Sequence, residues 1–76
     1  MDNEERLKAL GKELNTVPKN VGHLIALMLE TTDVYDFSAG CDEDEGWVAE
    51  FGPLSEGYGD TFDEAVLEAA EYYFKK

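Results

Sequence analysis

A chain of 76 residues holds one small hydrophobic core, near the lower limit at which burial outweighs the entropy of ordering the backbone. Its 43% apolar content excludes wholesale disorder, and its single cysteine, Cys41, excludes an internal disulfide. The longest apolar run, residues 24–29, is too short to span a bilayer, and a net charge of −12 from 18 acids and 6 bases disfavours direct contact with nucleic acid.

In chain order, residues 3–14 predict a first helix, with Leu7, Leu10 and Leu14 on one stripe and Gly11 weakening it by about 1 kcal/mol relative to Ala. Asn15-Thr16-Val17 ends it, and Pro18 suits the first turn of a second helix running to about Glu30. The centre of that helix is apolar nearly all round, which predicts a position sandwiched between helix and sheet. Residues 34–39 alternate as a strand, with Tyr35, Phe37 and Ala39 facing one way. Residues 46–51 alternate again, with Trp47, Ala49 and Phe51 on one face. The two strands should form an antiparallel hairpin that sets Phe37 opposite Ala49 and Asp36 opposite Glu50, two carboxylates in an unfavourable cross-strand pair. A Gly/Pro loop follows, then a short third strand near residues 58–60. Thr61-Phe62-Asp63-Glu64 fits a capping box for a last amphipathic helix, with Phe62, Val66, Ala69 and Tyr73 on one face. Asp60, Asp63 and Glu64 suit its positive end, and Lys75 and Lys76 its negative end. The expected fold is therefore α+β in a single domain, residues 1–76: two N-terminal helices, a small antiparallel sheet of two or three strands, and a C-terminal helix packed on the sheet.

The charge is unevenly placed. All bases lie at the ends (Arg6, Lys8, Lys12, Lys19, Lys75 and Lys76), and between Asn20 and Phe74 stand fourteen Asp and Glu with no Lys or Arg. Such self-repulsion opposes compaction and calls for a compensating use, although an acidic composition can also serve solubility alone. The hairpin tip Asp42, Glu43, Asp44 and Glu45 fails the calcium-loop pattern, because the fifth position counted from Asp42 is Gly46 and the twelfth is Pro53. His23 has no second histidine with which to build a metal site, and Cys41 stands among carboxylates that disfavour a reactive thiolate. No Gly-rich phosphate loop is present, and paired carboxylates at this density discriminate nothing. These observations predict a protein without catalytic residues, metal or cofactor. The stripe Glu64, Glu68 and Glu71 on the last helix, together with Asp36, Glu50 and the tip acids, predicts an extended negative surface. Regularly spaced negative charge can substitute for a phosphate backbone, so the partner it fits is a protein groove lined with Lys and Arg.

The segment GWVAEF followed by GDTFDEA, within residues 46–70, resembles the core of HicB-like antitoxins, in which an aromatic-rich strand and a loop lead through a G-D-T turn into a helix. It departs from them in lacking a C-terminal DNA-binding segment and in carrying helices before the hairpin. The Ala69-Ala70 pair and the preceding helices also resemble small phage proteins of helix–sheet–helix sandwich type. In size, charge and architecture the chain is similar to acidic anti-CRISPR proteins that act as DNA mimics on type I surveillance complexes, a resemblance of overall character with no diagnostic motif. It implies a non-enzymatic inhibitor whose partner is a basic nucleic-acid-binding protein, a Cas subunit of a type I complex, with neither direct nucleic-acid binding nor membrane association. The absence of a signal-peptide core in residues 1–20 leads to the expectation of a cytoplasmic protein, in the bacterial host if phage-encoded. The HicB resemblance implies the alternative, an antitoxin that masks a small basic ribonuclease.

Overall fold

A computed structural model describes residues 2–75 and runs α1 (Asn3–Leu14), α2 (Val21–Thr31), β1 (Phe37–Asp42), β2 (Gly46–Phe51), β3 (Ser55–Gly59), α3 (Phe62–Lys75). This is the expected α+β order, with three antiparallel strands in the order β1-β2-β3. Lys76, assigned above to the negative end of the last helix, lies outside the described residues.

Local signals set the helix ends. Asp2 caps α1 by accepting from the Glu5 N–H at 2.8 Å, and Asn15 ends it in the left-handed region at φ 61°. Asn20 rather than Pro18 opens α2: its side chain accepts from the His23 N–H at 2.8 Å, while Pro18 lies buried in the turn before it. His23 in turn accepts from the Lys19 N–H at Nδ1, 3.0 Å away, so its ring serves the helix start. The Glu64 N–H donates to Thr61 Oγ1 at 3.1 Å, the first half of the expected capping box at the start of α3.

The layers differ from the expectation in one respect. α3 is the central element: it packs on β2 and β3 on one side and on α1 and α2 on the other. Ala65, Val66, Leu67, Ala69 and Ala70 are all fully buried in it. α2 packs against α1 and α3 and leaves Leu29 39% exposed, so it is an outer helix and not the sandwiched one. The reason is side-chain size. A Cβ added at Gly57 would lie 2.2 Å from the Ala69 nitrogen and 2.4 Å from the Ala65 carbonyl oxygen, and one at Gly59 would lie 2.6 Å from Glu64 Cβ. Gly57 and Gly59 on β3 and Ala65 and Ala69 on α3 let the two backbones nearly touch, whereas the small residues of α2, Gly22 and Ala26, are exposed. Gly11 plays a similar part in α1, where a Cβ would meet Val17 Cγ2 at 2.7 Å. Its helix penalty is thus the condition for the turn to fold back over it.

The hairpin is also tighter than its sequence suggests. β1 starts at Phe37 and continues to Asp42, leaving residues 43–45 as the turn. Gly46 closes that turn at φ 78°, and the Asp42 carboxylate accepts from the Asp44 N–H at 2.8 Å. The register is therefore displaced by two residues from the expected one: Phe37 pairs with Phe51, Ala39 with Ala49, and Ser38 with Glu50. A shift of two keeps the paired side chains on their expected faces, so Phe37, Trp47, Ala49 and Phe51 still point towards the core, whereas Tyr35, expected on the same face, precedes β1 and is 79% exposed. Phe51 is fully buried; Phe62 meets Trp47 and Phe37 edge-on at centroid distances of 5.6 and 6.4 Å.

A candidate protein-interaction surface

The face of the sheet turned away from α3 carries Ser38, Gly40 and Asp42 from β1, Val48 and Glu50 from β2, and Glu56 and Tyr58 from β3. No helix packs over it. The expected carboxylate pair Asp36–Glu50 does not form, because Asp36 precedes β1 and Ser38 stands opposite Glu50. Glu50 instead faces a different carboxylate, Glu56, directly across the β2–β3 ladder. Sequence reasoning missed Glu56 because it placed the third strand at residues 58–60, whereas the strand begins at Ser55. The signal was there in Ser55-Glu56-Gly57-Tyr58-Gly59, whose small residues recur every second position.

Tyr58 organises this face. Its hydroxyl donates to the Glu56 carboxylate, and that bond raises its pKa, as do the small loss of solvent around the ring and the negative charges of Glu56, Glu45 and Glu50. The phenol is thus bonded to Glu56, stands beside the Glu50–Glu56 pair and feels the charge of Glu45 from the hairpin tip. The other tip acids, Asp42, Glu43 and Asp44, are exposed at the same end of the sheet. Asp36 is exposed at the opposite end of β1, about 20 Å away at the rise of an extended strand. The tip and Asp36 therefore bracket the sheet and do not form one cluster.

The helix acids occupy a separate place. Glu64, Glu68 and Glu71 lie on α3, on the other side of the sheet, and two of the three are used within the fold. Glu71 receives a bidentate pair from Arg6 of α1, at 2.8 Å from Nε and 2.7 Å from Nη2. The hydrogen bonds to Glu71 raise the Arg6 pKa, opposed by partial burial and aided by the charges of Glu71, Glu64 and Glu68, so one guanidinium serves the whole stripe. Glu68 reaches round the rim of β3, where its Oε1 accepts from the Tyr58 N–H at 3.2 Å. The acids thus form a band running from Glu50 across Glu56, round the β3 edge through Glu68, to a partly neutralised stripe on α3. Sequence spacing placed the stripe correctly but could not show Arg6, its partner 65 residues upstream.

A shallow cavity of about 290 Å³ adjoins this band at the β2–β3 turn, between Glu50, Pro53, Glu56 and Tyr72. Among the described residues no three His, Cys, Asp or Glu are grouped so as to hold a metal ion, and no helix is long and apolar enough to cross a membrane. No family model, curated protein or solved structure matches the chain. The likeness of residues 46–70 to HicB-like antitoxins accordingly stands on its motif alone.

Proposed function

We propose that the protein is a non-enzymatic inhibitor, of the anti-CRISPR kind, that lays its acidic sheet face in a basic nucleic-acid-binding groove of a type I surveillance complex in the host cytoplasm. The observation that carries this reading is the Glu50–Glu56 pair with Glu45 around Tyr58. Like charges directly opposite on adjacent strands destabilise a sheet, and among the described residues no Lys or Arg forms an ion pair with either of them. A partner's Lys and Arg side chains would relieve them, giving binding a driving force that folding lacks. Tyr58 adds an amphipathic ring of the type enriched at interfaces. The helix stripe contributes less, because Arg6 already neutralises part of it.

The test is plasmid interference in strains carrying type I CRISPR loci, with the wild-type chain and a variant bearing Glu45→Gln, Glu50→Gln and Glu56→Gln. The wild type should restore transformation by a targeted plasmid, and the folded variant should not. Restoration by both, or by neither, contradicts the proposal. Relief of a basic ribonuclease toxin in its place would favour the antitoxin reading, which shares the surface but not the partner.

A further inference from the structure

The two edges of the sheet are treated differently. On β3 the Tyr58 N–H bonds to Glu68 and so points away from β2. In an antiparallel ladder the N–H and C=O of one residue point to the same side, and residues along a strand alternate. Tyr58 is therefore in a non-hydrogen-bonded pair with Val48, whose own backbone groups point to Gly40 on β1. It follows that Phe37, Ala39 and Cys41 turn their N–H and C=O groups outward on the free edge of β1. Ala39 and Cys41 are exposed, and a Cβ built on Gly40 meets nothing within 4 Å. Natural sheets blunt such edges with charge, proline, bulges or a covering element. β3 has Glu56 and the Glu68 cap, whereas residues 37–41 contain no charge and no proline.

We propose that the β1 edge is a strand-addition site for an extended segment of a partner protein with basic residues at both ends. Backbone pairing to Phe37, Ala39 and Cys41 would supply the attraction. The flanks set the partner's charge: Asp33 and Asp36 precede the strand, and Asp42, Glu43, Asp44 and Glu45 follow it. Tyr35, 79% exposed just before the edge, offers a ring to the incoming chain. The same flanks argue against a second copy of this chain, since antiparallel pairing of two β1 strands brings the tip acids of each beside Asp36 of the other. The backbone groups of this site lie on the rim opposite Glu68, so it shares only the hairpin-tip acids with the groove-filling surface.

The probe is a short synthetic peptide of alternating Thr and Val with paired lysines at both ends, followed by amide exchange and chemical shifts on the wild-type chain. Binding should slow exchange at Phe37, Ala39 and Cys41 and leave Tyr58 unchanged. A peptide with glutamates in place of the lysines should bind about tenfold more weakly or worse. Ala39→Pro removes an N–H that the fold does not use, so it should keep the wild-type circular dichroism and abolish peptide binding. Absence of binding, protection elsewhere than on β1, or equal affinity for the glutamate peptide would overturn the proposal. So would sedimentation showing a dimer whose β1 amides are already protected without peptide.

Discussion

The two faces of the sheet obey opposite rules. Towards α3, backbone nearly meets backbone: Gly57 and Gly59 admit the helix, Ala49 and Phe51 are fully buried, and no charge intrudes. On the other face Glu50 and Glu56 oppose each other and Tyr58 is surrounded by acids. The inner face is set by contact, so any change in volume there is felt. The outer face carries repulsion that the fold relieves only through the Tyr58–Glu56 hydrogen bond, so changes there should alter stability little and show up in binding.

Perturbations should separate the faces by sign as well as size. Phe51→Ala empties the best-buried aromatic site and should cost about 3–5 kcal/mol, which is enough to unfold so small a domain. Chemical denaturation would measure this, and a loss below that of Phe37→Ala, whose ring is only half-buried, would misplace the core. Gly57→Ala should cost about 1–3 kcal/mol, because the obstructing atoms are helix backbone and cannot rotate away. An unchanged midpoint would show that α3 does not sit so close. Thr61→Ala should cost about 1 kcal/mol through the lost cap, read as a lower melting temperature. On the outer face Glu56→Gln should go the other way, raising stability by a few tenths of a kcal/mol by relieving the pair with Glu50. A clear loss there would mean that the carboxylate is needed by the fold.

The smallest effect is in alkali. The Glu56 bond raises the Tyr58 pKa, and a hydrogen bond to Asp33 does the same for Tyr73, aided by slight desolvation. Each phenol holds its proton more tightly when folded, so its stabilisation is complete below about pH 10, the unfolded value. It is lost as pH rises through the raised folded value. Absorbance titration should show a late-ionising component that diminishes in Tyr58→Phe and Tyr73→Phe, and identical curves would remove both bonds from the account.

Much of this was legible in the sequence where the signal is local. Period-two alternation marked β2 at its observed bounds, Thr61 marked the start of α3, and the leucine spacing gave α1. The failures share a cause in long-range geometry. The all-round apolar α2 suggested a central layer, but the middle went to α3, whose alanines meet glycines on another element. Gly57 fell within the expected Gly/Pro loop, since its place in β3 depends on Ala65 and Ala69 of another element. The Glu50–Glu56 pair was hidden by a misplaced strand start, and the Arg6–Glu71 pair joins opposite ends of the chain. Charge count forecast an acidic surface; it could not say which acids share a face, since helix spacing fixes neighbours only within one element.

We propose above that the outer-face acids serve a basic nucleic-acid groove, and this is open to direct test. Its most direct measurement is competition with target DNA for crRNA-loaded type I complexes, with binding of the labelled DNA followed at low and raised salt. The wild-type chain should displace DNA, displacement should weaken steeply with salt, and the Glu45→Gln, Glu50→Gln, Glu56→Gln variant should require roughly tenfold more protein, equivalent to about 1.4 kcal/mol. Displacement by the folded variant at full strength, or by the wild type without salt dependence, would contradict it.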